Sequence, residues 1–342
     1  MQASLACGRP SCETLCGIDP QHLRQVMERI CPYCLRNPAD TADHIFPQFL
    51  EGRRTVWACR SCNSRFGHSF EAAVHRDLTP IASMLALCGL TLPRAAMWEK
   101  AVDGEDGQPL DFDAEQRLLK PNRPIVEKNP QTGGFRISGD KKRVTAIAND
   151  FLRRHPGAIA KYADQTKQVP TPDKLSHALT IGPDIRRLTV KMCVALIEHG
   201  YRDLDVIDDR ARHFLLGATV SEIPVRLAYY DYRPLQQLRK PLSHSLYVEA
   251  SRHNGAYGIV QFFGCVQLYV VLNSAYDTAA FAFFASLDQP GWKERLENVG
   301  ALHLPEAPKM ITADEQTRGV RGWFDYLNVQ VKDAFGTNKY IF

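Results

Sequence analysis

The spacing of apolar residues predicts two well-defined helices in this chain. Between residues 185 and 199 apolar side chains recur at intervals of three and four, and Gly200 follows the last turn. Residues 68–87 show a similar pattern, in which Pro80 is expected to divide or kink the helix and Gly89 to end it.

The pattern becomes that of β-strands towards the C-terminus. Residues 242–287 are rich in Val, Tyr and Phe, and an Asn-Gly pair at 254–255 is typical of a hairpin turn. Shorter extended segments at 125–126 and 135–137 predict a further hairpin. With a basic helix predicted at 141–154, these elements favour an α+β fold with an antiparallel sheet.

Changes in composition divide the chain into four predicted parts. An N-terminal extension, 1–25, precedes a cysteine-rich module at 26–95, and a linker and hairpin region rich in Pro and Gly follows at 96–140. Residues 141–342 are expected to form a larger C-terminal α+β domain, whose role no motif indicates. A length of 342 residues suits two or three domains.

Charge and hydropathy predict a soluble, cytoplasmic protein with no membrane partner. The N-terminal residues lack the basic flank and apolar run of a secretory signal. The uncharged stretch at 254–276 contains Gln261, Gln267 and Asn273, which favour strands over a membrane span. The net charge of +4 is too small to indicate a nucleic-acid partner by itself.

Two pairs of cysteines have the spacing of a zinc site. Cys31/Cys34 and Cys59/Cys62 are both Cys-x-x-Cys pairs, and 24 residues separate them. Each pair fits a tight turn that presents two thiolates to one tetrahedral ion, so the sequence predicts a structural Zn²⁺. The remaining cysteines are expected to be buried or free thiols, with a second metal site as the alternative for the first three: Cys7, Cys12, Cys16, Cys88, Cys193 and Cys265.

The residues between and after these pairs resemble the HNH endonucleases. Asp43, His44 and Pro47 lie in the segment D-H-I-F-P, and Asn63 directly follows the last cysteine. This order is similar to that of the four-cysteine branch of the family, which carries C-x-x-C, D-H-x-x-P and C-x-x-C-N. The resemblance covers residues 31–75 and implies a small ββα-metal module that hydrolyses phosphodiester bonds.

The resemblance also implies roles for individual residues. His44 would be the general base, and Asp43 and Asn63 would hold a catalytic divalent ion, Mg²⁺ or Mn²⁺ in the first place. The chemistry agrees, because histidine can take a proton from water near neutral pH and carboxylate and amide oxygens suit a hard ion. Asp43 and His44 are expected on opposite faces of a strand. The alternative for Asp43 and Asn63 is a turn residue and a helix cap.

Two departures from the family pattern bear on this site. Arg54 and Thr55 stand where many members carry an asparagine that orients the base, and Thr55 offers weaker support. His68 lies near the position of a common Lys-Gly pair and is a candidate catalytic residue, either as a third ligand or as a phosphate contact. Glu71 and His75, farther along the predicted helix, are expected to be solvated.

Arginines concentrate around the motif and predict a phosphate-binding surface. Between residues 51 and 76 there are five arginines and two glutamates. Contacts from arginine neutralise backbone phosphates without reading sequence. The resemblance to HNH endonucleases makes DNA the expected substrate, with RNA as the alternative. Four arginines are assigned to nucleic-acid binding: Arg53, Arg54, Arg60 and Arg65.

Two classes of function remain open at this point. The first is a metal-dependent HNH endonuclease acting on DNA, in a layout found among restriction and phage-defence nucleases. The second is a non-catalytic zinc module that binds nucleic acid or protein. In both, the C-terminal domain would select the target or bind a partner protein, and its apolar strands leave a homo-oligomer interface open.

Overall fold

The computed structural model describes most of the chain. Its described residues are 29–90, 97–104, 107–113, 118–131, 133–139, 141–161, 181–227, 240–252, 255–289, 291–300, 321, 324–325 and 327–334. The predicted N-terminal extension with Cys7, Cys12 and Cys16 lies outside these residues, as does Asn254 of the predicted turn.

The cysteine-rich module contains a β-hairpin followed by a helix. Strand β1 (Thr41–His44) pairs antiparallel with β2 (Thr55–Ala58), and helix α1 (Arg60–Phe66) follows directly. A π-helical turn, Gly67–Glu71, connects α1 to α2 (Ala72–Leu87). Helix α2 runs through Pro80 without interruption and ends just before Gly89, whose φ of 113° suits the end of a helix.

Two small sheets follow the module. One has three antiparallel strands in the order β3-β4-β5, and the other is the β6-β7 hairpin predicted from the sequence. The predicted basic helix is also present. The bounds are β3 (Met97–Asp103), β4 (Pro109–Asp113), β5 (Leu118–Pro121), β6 (Ile125–Lys128), β7 (Phe135–Ser138) and α3 (Lys141–Arg154).

A six-stranded antiparallel sheet forms the centre of the C-terminal part, so the predicted α+β class with an antiparallel sheet is confirmed. Its order is β13-β12-β9-β10-β11-β8. The strands and the two helices beside them are α4 (Pro183–Gly200), α5 (Asp209–Leu215), β8 (Val225–Leu227), β9 (His244–Ser251), β10 (Gly255–Phe262), β11 (Val266–Asn273), β12 (Phe281–Asp288) and β13 (Lys293–Asn298).

Helix α4 packs tightly on this sheet. A Cβ at Gly258 of β10 would lie 2.4 Å from the Cys193 sulfur, and one at Gly200 would lie 2.8 Å from the Phe283 ring. Both glycines therefore allow an approach that any larger residue would obstruct. The side chains of Gln261 and Gln267 are buried in the sheet and hydrogen-bond to each other at 3.1 Å, which satisfies polar groups inside a run of apolar strands.

The module and the C-terminal part share one hydrophobic core. Ile45 and Phe66 of the module belong to the same connected cluster of buried residues as Leu188 of α4 and Val248 of β9. Every residue of β9, β10 and β12 is buried within the chain. Among the described residues, no helix has the length and apolar character needed to cross a membrane.

Candidate metal centre and nucleic-acid interface

The four predicted cysteine ligands form one compact cluster. The sulfurs of Cys31, Cys34, Cys59 and Cys62 all lie within 4.8 Å of one another, and those of Cys34 and Cys59 are 3.9 Å apart. In a tetrahedral site with Zn–S bonds of about 2.3 Å, neighbouring sulfurs are separated by about 3.8 Å. The cluster therefore has the dimensions of a site for a metal ion such as zinc.

Local backbone turns bring the two pairs together. After Cys31 the chain folds back, with the Leu35 N–H donating to the Cys31 carbonyl at 2.9 Å. Cys59 precedes α1, and its sulfur accepts a hydrogen bond from the Cys62 N–H at 3.4 Å. The hairpin β1-β2 places the second pair beside the first. Three of the sulfurs belong to buried residues, and Cys34 is half-buried.

The thiols strongly influence one another's ionisation. The hydrogen bond from Cys62 lowers the pKa of Cys31 to about 5. The same contact and burial raise the pKa of Cys62, and burial raises that of Cys59. Of these three thiols, Cys31 thus ionises most readily, and the thiolate is the form that binds a metal ion.

Asp43 and His44 extend from β1 in different environments, as alternation along a strand requires. Asp43 is buried, whereas His44 is half-buried and pairs with Thr55 of β2. Within the described part of the chain, no hydrogen bond reaches the His44 ring. Its backbone is fixed instead, because the next N–H, that of Ile45, donates to the Arg54 carbonyl at 3.0 Å.

Both carboxylate oxygens of Asp43 already have partners. Oδ2 accepts a hydrogen bond from the buried Tyr33 hydroxyl, and Oδ1 accepts one from Lys191 Nζ at 2.8 Å. Burial and the Asp43 charge raise the pKa of Tyr33 well above its usual value, so the phenol stays protonated as a donor. The role of Asp43 as a metal ligand stays a prediction, and in this arrangement its oxygens are engaged elsewhere.

Asn63 lies at the edge of an open surface cleft. Its amide nitrogen donates to the Ala42 carbonyl at 2.9 Å and to Thr41 Oγ1 at 3.3 Å, which ties α1 to β1. No donor among the described residues reaches its Oδ1, which remains an available acceptor. The cleft has a volume of about 430 Å³ and is lined by Thr41, Arg60, Asn63, Ser64, Gly67 and His68.

His68 extends from the π-helical turn into this cleft. Its Nδ1 lies 2.7 Å from the Ser64 carbonyl oxygen. A carbonyl can only accept, so Nδ1 carries the proton and Nε2 is left to meet a ligand. The structure therefore places Asn63, His68 and Arg60 together, while Asp43 lies in the interior and His44 is not among the residues that line the cleft.

The four arginines assigned to nucleic-acid binding are all exposed: Arg53, Arg54, Arg60 and Arg65. The backbone around two of them is anchored to the C-terminal part of the chain. Glu294 of β13 accepts hydrogen bonds from the N–H groups of Arg53 and Arg54, at 3.2 and 2.8 Å. His199 of α4 hydrogen-bonds to the backbone of Thr55, and burial lowers the pKa of its ring.

Two charged residues of this site differ from the sequence-based expectation. Glu71, expected to be solvated, has a side chain only 17% exposed and lies 2.9 Å from Lys191 Nζ. Lys191 itself was not predicted as a site residue. It lies on one face of α4 with Leu188 and Ala195, and a charged residue among apolar neighbours at helical spacing is a signal of a buried ion pair.

Comparison with known proteins does not identify a relative of this chain. The chain matches no family model, no curated protein and no solved structure. The fold and the cluster define the class only coarsely, as an α+β protein with a cluster of four cysteines that could hold a metal ion such as zinc.

Proposed function

We propose that this protein is an HNH-type endonuclease that hydrolyses phosphodiester bonds in DNA. One observation carries the proposal: a β-hairpin and helix stapled by four cysteines hold His44 at the end of β1 and Asn63 on the first turns of α1. Zinc is proposed as the structural ion because four thiolates in a tetrahedral arrangement are its typical ligands.

His44 is proposed as the general base. His44 is half-buried and lies at the end of β1, where it pairs with Thr55 of β2. Among the described residues, no hydrogen bond engages its ring nitrogens. Such a ring can take a proton from a water molecule that attacks phosphorus. Two backbone contacts fix its position, because Lys191 donates to the His44 carbonyl at 2.8 Å and Ile45 donates to the Arg54 carbonyl.

The cleft beside α1 is proposed to bind a backbone phosphate next to the one that is cleaved, because His44 does not line it. Arg60 supplies positive charge, and the Ser64 hydroxyl adds a hydrogen-bond donor at its surface. His68 lines the same cleft, where Nε2 is an acceptor that suits a water molecule or a metal ion. Such contacts position the nucleic acid and carry no sequence information. Selection of a target would then depend on other parts of the chain or on a partner.

The predicted catalytic Mg²⁺ or Mn²⁺ fits the structure only in part. Asn63 Oδ1 is an available oxygen ligand, but the oxygens of Asp43 are engaged by Tyr33 and Lys191. While Asp43 is paired with Lys191 of α4, the site therefore lacks one of the two metal ligands that the resemblance implies. The proposed phosphate cleft does not depend on that ligand, whereas cleavage would require Asp43 to exchange Lys191 for the metal ion.

Replacement of His44 by Ala is expected to reduce DNA cleavage by about 10²–10⁴-fold, the usual contribution of a general base. Plasmid nicking by the zinc-loaded chain, with Mg²⁺ or Mn²⁺ added and with a chelator control, measures the effect. His213→Ala, at an exposed histidine of α5, is the matched control and should cleave like the wild type. Equal cleavage by the wild type and His44→Ala would remove His44 from the mechanism.

Replacement of Arg60 and Arg65 by Ala is expected to weaken DNA binding at low salt and to reduce its salt dependence. Each lost phosphate contact lowers the slope of log K against log salt by about 0.9, so the double variant should lose nearly two units. Fluorescence anisotropy with a duplex at several salt concentrations measures both quantities. Arg136→Ala, an exposed arginine of β7, should retain the wild-type slope. An unchanged slope in the double variant would place the DNA elsewhere.

The engaged state of Asp43 favours a second candidate function. If Asp43 never leaves Lys191, the module is a zinc-stapled surface that binds nucleic acid or protein without cutting it. This candidate predicts salt-dependent binding through the same arginines together with no cleavage of DNA or RNA under any divalent ion. The binding and cleavage measurements, made on the same preparation, separate the two functions.

A further inference from the structure

Lys191 is surrounded by oxygen atoms in the way that a bound cation is. Its Nζ hydrogen-bonds to Asp43 Oδ1 and to the His44 carbonyl oxygen, each at 2.8 Å, and lies 2.9 Å from Glu71 Oε1. Its side chain is completely buried, and that of Asp43 is 5% exposed. Two carboxylates and one ammonium leave one net negative charge in this cluster.

These three oxygens belong to the classes that hard divalent ions prefer. Mg²⁺, Mn²⁺ and Ca²⁺ bind carboxylate and backbone carbonyl oxygens. An ammonium and a divalent ion cannot share them, because a dication in ligand contact with the same oxygens would lie within a few ångströms of Nζ in a poorly hydrated environment. Occupation by lysine and occupation by a metal ion therefore exclude each other.

The cation and its acceptors come from distant parts of the chain. Asp43 and His44 lie on β1 and Glu71 on the π-helical turn, whereas Lys191 comes from α4, 148 positions after Asp43. The ammonium is present in the module only while α4 is docked there. A second helix also contacts the module, since Arg212 of α5 donates to the Pro32 carbonyl beside the first cysteine pair.

We infer that Lys191 is the resident cation of the module, and that Asp43, Glu71 and the His44 carbonyl form a divalent-cation site that opens only when this ammonium leaves. The position of α4 then decides whether Asp43 is available to a metal ion. The inference concerns cation binding, so it stands or falls independently of whether the chain cleaves DNA.

Replacement of Lys191 by Met tests this directly, because methionine is unbranched, of similar length and uncharged. Mn²⁺ titration of the full-length, zinc-loaded chain, followed by electron paramagnetic resonance of the free ion, counts the bound ions. We expect Lys191→Met to bind one Mn²⁺ more than the wild type, with an affinity at least about tenfold higher than any wild-type site. Equal Mn²⁺ binding by the two proteins would overturn the inference.

Two further variants locate the gained ion. Glu71→Gln combined with Lys191→Met removes one carboxylate and should lose most of the gained affinity; an unchanged gain would place the ion elsewhere and overturn the inference. Lys240→Met is the matched control, since Lys240 lies 3.2 Å from another buried carboxylate, that of Asp288. It should bind Mn²⁺ like the wild type, and a gain equal to that of Lys191→Met would show a general effect of lost charge.

If Lys191→Met unfolds because two carboxylates have lost their cation, metal rescue provides the test. In that case thermal unfolding is followed with Mn²⁺, Mg²⁺ or Ca²⁺ present. Recovery of the folded state by a divalent ion, absent from the Glu71→Gln double variant, supports the inference. Failure of all three ions to restore folding would contradict it.

Discussion

Replacement of Cys31 by Ser is expected to abolish metal binding and to unfold the module. A structural zinc site contributes about 10–16 kcal/mol of binding free energy, comparable with the whole free energy of unfolding of a domain, about 5–15 kcal/mol. Loss of one thiolate from a cluster of four removes most of that contribution. Zinc content per chain, measured by mass spectrometry, should fall from one to near zero, and limited proteolysis should cleave within residues 31–66.

The lone buried cysteine of α4 provides the control for this experiment. Cys193 is fully buried, like Cys31, but its sulfur lies against Gly258 and away from the cluster. Cys193→Ala should therefore keep one zinc per chain, although the small cavity lowers stability somewhat. Retention of zinc in Cys31→Ser would show that the cluster does not depend on all four thiolates.

Acidification is expected to destabilise the C-terminal part through His244. This ring is fully buried, stacks on Trp292 and accepts a hydrogen bond from the Phe263 N–H at Nδ1, so it is neutral in the folded chain. Burial lowers its pKa to about 3, against about 6.5 in an unfolded chain. Between these values the unfolded chain binds more protons, so the free energy of unfolding falls as the pH falls through 6.5.

The size of this effect follows from the difference in pKa. At about 1.4 kcal/mol per unit, the full loss approaches 5 kcal/mol near pH 3, and about 2–3 kcal/mol is lost between pH 7.5 and 4.5. Urea unfolding at these two pH values measures it. His244→Asn retains an acceptor for the Phe263 N–H. Between pH 7.5 and 4.5 its free energy of unfolding should fall by about 2–3 kcal/mol less than that of the wild type.

Other groups also titrate in this range, so a second histidine variant is needed. His213 is exposed on α5, and His213→Asn should show the wild-type pH dependence. The same pH dependence in His244→Asn and in the wild type would mean that the buried ring contributes nothing to acid sensitivity.

Local patterns in the sequence predict much of the fold. The Cys-x-x-Cys spacing restricts each pair to a tight turn, and the structure brings both pairs into one cluster. Strands β9, β10 and β11 and most of β12 fall within residues 242–287, which were predicted as strands from their content of Val, Tyr and Phe, whereas β8 and β13 lie outside that segment. Helix α4 was predicted from a single apolar stripe, and its observed bounds extend that prediction by only a few residues.

Strand β3 shows where such patterns fail. The pairing of β3 with β4 shifts register between Trp98 and Val102, and Lys100 within that interval has a φ of 54°. This irregularity breaks the alternation of buried and exposed residues, leaving only Trp98 and Ala101 clearly buried. Without a period of two, no strand was predicted there.

The partners of Asp43 could not be predicted for a different reason. The motif around Asp43 and His44 is local, and it suggests a metal ligand next to a base. The ion pair with Lys191 joins residues 148 positions apart, and its formation depends on how α4 packs against the module. Charged residues in an apolar stripe indicate that a partner exists, but a single sequence does not identify it.

Because the module and the C-terminal part share one hydrophobic core, the module is not expected to be stable as a separate fragment. Here, truncation after residue 95 would remove Lys191 from beneath Asp43 and Glu294 from the backbone of Arg53 and Arg54, and would expose Ile45 and other core residues. A fragment made at that boundary would therefore lack the ion-pair partner of Asp43, the acceptor for two backbone N–H groups and part of the core that covers Ile45.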